Sequence, residues 1–179
     1  MNKALLIIDV QNDYFPNGKC ELHQPELALS SIKKLLRYFR DNKLPVYHIK
    51  HLSEKNAAFF VPNTDGVNIH KDIMPLDSEK IIIKHYPNSF FETDLQAELS
   101  KERISDIVIC GMMTHMCVDT TVRAAKDYGY NITLVSDACA TKDLEWNGLT
   151  IPANIVQDVY MASINSKFAN VITSENILE

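Results

Sequence analysis

The sequence has no excess of positive charge, no Cys-x-x-C pair, no long apolar run and no internal repeat, and each absence excludes a class of protein. Acidic residues outnumber basic ones, 23 to 18, and the lysines and arginines form no stripe, so no nucleic-acid partner is expected. The apolar run near the start meets Asp9 within a few residues, too short for a signal peptide or a membrane span. A cytoplasmic protein with no membrane partner is the expectation. Cys20, Cys110, Cys117 and Cys139 stand apart, and the chain lacks the small secreted character of a disulfide scaffold, so reduced thiols are expected.

What is present is a chain of 179 residues, 46% hydrophobic, enough for one well-packed domain and too short for two of typical size; a single domain over 1–179 is expected. Short apolar, β-branched runs at 3–9, 45–50, 80–84, 105–110, 131–136 and 169–173 alternate with helix-like stretches. That alternation predicts an α/β fold: a Rossmann-like three-layer α/β/α arrangement with a six-stranded, mostly parallel sheet. Pro25 to Asp41 carries Leu27, Leu29, Ile32, Leu35, Leu36 and Phe39 at close to helical spacing, an amphipathic crossover helix. Residues 93–101, 115–129 and 152–168 behave alike, with Gly129 as a stop and Pro152 in a first turn. The stretch 52–79 is longer than an ordinary connection. It reads either as an excursion over an active site or as a segment whose Phe59 and Phe60 plug the core or an interface.

Three residues close strand runs where α/β proteins place their chemistry. Asp9 follows Ala4-Leu5-Leu6-Ile7-Ile8, Lys84 follows Ile81-Ile82-Ile83, and Cys117 lies just beyond Ile107-Val108-Ile109-Cys110 at a helix start. First-turn N–H groups and the helix dipole favour negative charge, so the Cys117 thiol is expected to be lowered toward the thiolate. Singly, an Asp caps a turn, a Lys is solvated and a Cys fills core. Together they predict a nucleophile, a proton carrier and a cation. In the commonest strand order Lys84 belongs to a strand that does not adjoin that of Cys117, so its long stem must reach across.

Through these residues the chain resembles the isochorismatase-like cysteine hydrolases, which include nicotinamidases, N-carbamoyl amidohydrolases and isochorismatase. The likeness spans nearly the whole chain and rests on four motifs in order. They are Asp9-Val10-Gln11-Asn12-Asp13-Tyr14-Phe15; Lys84 with Asn88-Ser89-Phe90 and Thr93-Asp94-Leu95; Gly111-Met112-Met113-Thr114-His115-Met116-Cys117-Val118-Asp119; and Ser136-Asp137-Ala138-Cys139-Ala140-Thr141. The resemblance implies that Cys117 attacks the carbonyl of a small amide or N-carbamoyl substrate, Asp9 shuttles the proton and Lys84 holds the charge of the pair. It further implies an acyl-enzyme, an oxyanion hole from the backbone amides of Met113 and Cys117, and a cis peptide between Met112 and Met113. A homo-oligomer, dimer or tetramer, is implied as well.

Neither a cofactor nor a metal is expected. The nicotinamidase branch carries Asp-x-His in the region of the second strand, and this sequence has none there. His48 and His51 lie three apart, which on one strand points them to opposite faces. Substrate-pocket candidates are Phe15, His51, Phe90, Met113, His115 and Trp146, whose aromatic members suit a flat or apolar acyl group. Gln11 reads as structural. The rival readings are an isochorismatase-type or nicotinamidase-type hydrolase, or a non-catalytic relative that carries a reactive thiol or binds a ligand or partner. A thiol peroxidase would want a resolving cysteine, and the near one, Cys110, falls inside a strand.

Overall fold

β1 (Lys3–Ile8) is apolar over most of its length because both of its faces are covered. Leu5 and Ile7 point into one core, and Ala4, Leu6 and Ile8 into another on the opposite side of the sheet. The computed structural model, which describes residues 2–178, places β1 near the middle of six parallel strands. The others are β2 (Val46–His51), β3 (Lys80–Lys84), β4 (Asp106–Met112), β5 (Asn131–Ala140) and β8 (Asn170–Ile172), in the order β3-β2-β1-β4-β5-β8. This is the doubly wound α/β/α architecture that the alternating runs predict.

α1 (Pro25–Asp41) buries Ala28, Leu29, Ile32, Leu35, Leu36 and Phe39 against one face of the sheet. α2 (Leu95–Lys101), α3 (Asp119–Asp127) and α4 (Ala153–Ile164) cover the other, through Leu95, Leu99, Val122, Ala125, Met161 and Ile164. Pro152 is extended and precedes α4 instead of entering its first turn, because the Asp143 carboxylate accepts from the Ala153 N–H at 2.7 Å and caps the helix there. That helix stops at Ile164, four residues before the expected end, where Phe168 and Ala169 both turn back to the Ile164 carbonyl.

β5 runs on to Ala140, beyond the expected end at 136, so Cys139 is a buried strand residue. An antiparallel hairpin of β6 (Leu144–Trp146) and β7 (Leu149–Ile151), and the short α5 (Glu175–Leu178), complete the chain. Among the described residues no helix is long and apolar enough to cross a membrane.

The 52–79 stretch holds two short 3-10 turns, Asp65–Val67 and Lys71–Ile73, and is pinned at both ends. Near its start the Phe60 N–H donates to Asp13 Oδ2 at 2.7 Å, and the Phe60 ring is fully buried with its edge against Tyr14. Near its end Glu79 receives two hydrogen bonds from Arg40, at 2.7 and 2.8 Å, and lies 3.0 Å from His48 Nε2. Phe60 is therefore a core plug, while Phe59 is only half-buried.

Candidate active site

Four consecutive strands deliver the site. Each ends at the same edge of the sheet, so the residues that close β3, β2 and β1, and the turn after β4, meet there. Lys84 is the last residue of β3, and His51, the last of β2, is its register partner. Asp9 follows β1 in the left-handed region, with φ of 50°, which ends the strand and turns the carboxylate aside. Cys117 lies in a π-helical turn, Thr114–Val118, between β4 and α3.

Gly111 makes the approach to that turn possible. Its φ is +128°, and a Cβ there would lie 2.1 Å from the Ile8 carbonyl oxygen. Only glycine lets β4 come this close to β1 just ahead of the nucleophile. The next peptide, Met112–Met113, is cis. Thr114 then ties the turn down, its hydroxyl 2.7 Å from Gln157 Oε1 on α4 and 3.2 Å from the Ala140 carbonyl of β5.

The convergence is close and dry. Lys84 Nζ lies 2.7 Å from Asp9 Oδ2, with both side chains at 0% exposure. The contact is an ion pair that approaches off the hydrogen-bonding direction, and among the described residues neither carboxylate oxygen of Asp9 has an aligned donor. The acceptor capacity of Asp9 is thus open to a thiol or a substrate. One atom from each of Asp9, His51 and Cys117 lies within 4.8 Å of the others. Those donor types would suit a thiophilic divalent ion. The Lys84 ammonium already stands beside the Asp9 oxygen, at 2.7 Å, and 3.2 Å from His51 Nδ1, so such an ion would have to displace it.

Electrostatics correct the expectation for the thiol. Burial pushes the Cys117 thiol up, the neighbouring Asp9 carboxylate pushes it further, and Lys84 pulls it down by less, so the resting group is the neutral thiol. A helix start favours the thiolate only where water or charge compensates the burial, and Cys117 is 5% exposed. Lys84 moves oppositely. Burial pulls its amine down, but Asp9 and Cys117 outweigh that and hold it above its ordinary value, as a cation. Burial brings the His51 imidazole to about 4, with Lys84 pulling the same way.

The pocket candidates separate. Only His51 joins the three central residues. Phe15 is buried with its ring 4.3 Å from that of His70, beside the 52–79 stretch. His115, half-buried, turns its Nδ1 to the Thr141 hydroxyl. Met113 is buried in the core facing α1.

Two candidates lie apart from the three central residues. Phe90 packs on Tyr128 and Tyr130 at the far end of α3, because the Ser89 N–H donates to Thr121 Oγ1 and leads the chain along that helix. Trp146 is 70% exposed on the β6–β7 hairpin. Tyr14, the residue before Phe15 in the first motif, is also buried, and the charges of Cys117 and Asp9 add to burial in raising its phenol.

Comparison with known proteins gives the family. The family model for the Isochorismatase domain matches residues 3–176. YddQ, an uncharacterised isochorismatase family protein of Bacillus subtilis, is 49% identical over 180 residues and covers 100% of both chains. The crystal structure of an isochorismatase hydrolase from Oleispira antarctica has a TM-score of 0.97 at 42% identity, over 99% of this chain and 96% of that one. Streptothricin hydrolase of Streptomyces noursei is 28% identical over 93% of this chain and 58% of its own length. By family model, sequence and fold, the chain belongs to the isochorismatase family of hydrolases.

Proposed function

We propose that the protein hydrolyses a C–N bond, amide or N-carbamoyl, of a small molecule through an acyl-enzyme on Cys117. The observation that carries this reading is the meeting of a buried thiol, a buried carboxylate with open acceptor sites and a buried ammonium. A cysteine nucleophile needs a base within reach and a cation to balance the thiolate, and both are supplied. Streptothricin hydrolase, a relative whose name states a hydrolysis, lends support.

Because the resting thiol is neutral, Asp9 takes its proton as sulfur attacks the carbonyl carbon. The oxyanion that forms is held by the backbone N–H groups of Met113 and Cys117, each such donor being worth about 3 kcal/mol in a hydrolase of this kind. Collapse breaks the C–N bond, and the leaving nitrogen receives the proton from Asp9. Asp9, again a carboxylate, removes a proton from water, which attacks the thioester and releases the acid with the thiol restored. Lys84, 2.7 Å from Asp9 Oδ2, balances negative charge as the proton moves between Cys117 and Asp9. Vinyl-ether hydrolysis of the isochorismatase type does not depend on a cysteine nucleophile, so the Cys117 cluster weighs against it.

Ammonia release from a panel of carboxamides and N-carbamoyl compounds tests the reading, with Cys117→Ala and Asp9→Asn beside the parent and with chelator added. Turnover abolished in both variants and indifferent to chelator is the expected result. Turnover that survives Cys117→Ala would sink it.

A further inference from the structure

We propose that His51 is a positioning residue: its Nδ1 atom accepts a hydrogen bond from the Lys84 ammonium and so keeps that cation aimed at Asp9 and Cys117. The consequence for catalysis rests on the cysteine-hydrolase reading; the hydrogen bond does not.

β2 lies between β3 and β1, so the Lys84 side chain must cross the end of a strand to meet Asp9. Neighbouring strands are about 4.8 Å apart, and two such spacings exceed what a lysine stem spans without bending toward its target. The residue it crosses is His51, its own register partner. The ammonium has three hydrogens and no lone pair, so every partner it has must accept. Its hydrogen-bond partners are the Tyr86 carbonyl at 3.1 Å, the Pro87 carbonyl at 3.4 Å and His51 Nδ1 at 3.2 Å, while Asp9 Oδ2, at 2.7 Å, is paired with it by charge. An Nδ1 that accepts puts the ring proton on Nε2 and leaves the imidazole neutral.

The surroundings hold that state. The charged or titratable groups around the ring are Lys84, Asp9, His85 and Cys117, and burial with the Lys84 charge keeps it neutral down to about pH 4. The backbone is locked too: the His51 N–H donates to Gln11 Oε1 at 2.8 Å, and its carbonyl accepts from Gln11 Nε2 at 2.9 Å. Gln11 is fully buried and also donates to the Val67 carbonyl at 2.9 Å, and the Phe60 ring lies beside the imidazole with centroids 5.9 Å apart. Without the Nδ1 acceptor one ammonium hydrogen is unmatched, and the group is free to turn toward the carbonyls after β3 and away from the sulfur.

The test separates the two ring nitrogens. Asparagine places an amide oxygen near the position of Nδ1, while glutamine reaches that of Nε2. The rate of Cys117 alkylation by iodoacetamide, measured against pH, needs no substrate and reads the stability of the thiolate. His51→Asn is expected within about threefold of the parent, while His51→Gln and His51→Ala slow by about 10- to 100-fold at neutral pH, the range spanned by a hydrogen bond to a charged group. Equal rates in all the variants, or His51→Asn as slow as His51→Gln, would overturn the proposal. Nitrogen-15 NMR of the parent provides the independent reading: His51 protonated on Nε2 at neutral pH is expected, and an Nδ1-protonated or charged ring refutes it. If these results hold but no amide is turned over, the catalytic reading fails and the positioning role stands.

Discussion

Lys84 and Asp9 form an ion pair of 2.7 Å with no exposed surface on either side chain, although they close strands separated by β2. Burying two charges together is costly, and removing one leaves the other uncompensated. Lys84→Met is therefore expected to cost about 3–5 kcal/mol of stability in urea melts, and Asp9→Asn/Lys84→Met less than the sum of the single changes. Additive losses would show that the two side chains do not act as a pair.

Gly111 gives the sharpest backbone prediction. An added methyl would meet the Ile8 carbonyl at 2.1 Å at a φ that L-residues avoid, so Gly111→Ala should destabilise by about 2 kcal/mol or more. Gly129→Ala is the control. It has positive φ but nothing within 4 Å of the added carbon, and its cost should stay near 1 kcal/mol. Similar thermal shifts for the two variants would contradict the close approach of β4 to β1.

Much of this frame was legible because its signals are local. The apolar run ending at Asp9 follows from sheet burial and the α1 stripe from Leu29 to Phe39 from helical period, although Leu27 is exposed, and the run ending at Lys84 is a strand at the sheet edge that leaves Ile81 and Ile83 exposed. What the sequence did not disclose depends on contacts distant along the chain. The direction of Phe90 is decided by a hydrogen bond from Ser89 to Thr121, and Tyr14 is turned inward by packing on Phe60, 46 positions later. The thiol was misjudged for the same reason: a helix start is visible in sequence, whereas the burial that outweighs it belongs to the folded chain. The β6–β7 hairpin escaped notice because its strands are three residues each, too short for an alternating pattern.

Phe60 anchors the 52–79 stretch. Its ring is fully buried, so Phe60→Ala should cost about 3–5 kcal/mol. Asp13→Ala removes the acceptor for both the Phe60 and the Lys19 N–H groups and should act in the same direction. Limited proteolysis should cut first within 52–79 in both variants. Unchanged cleavage sites would mean that other contacts hold the stretch.

Stability should fall as pH drops from about 6.5 toward 4.5. Burial lowers His48 below its ordinary value, against the raising effect of Glu79, and burial brings His51 to about 4. The unfolded chain then binds more protons in this window than the folded one, so stability is whole above the unfolded histidine value and lost as pH falls through the window. His48→Gln should flatten the slope of urea midpoint against pH. A parent protein with constant stability between pH 6.5 and 4.5 would refute the neutral buried histidines.

The central claim is a covalent acyl group on Cys117, and rapid quenching during turnover of a hydrolysed amide, followed by peptide mass spectrometry, examines it directly. The account predicts a mass increase equal to the acyl portion on the peptide containing Cys117, absent in Cys117→Ala. Turnover with that peptide unmodified at every quench time, and undiminished in Cys117→Ala, would contradict it.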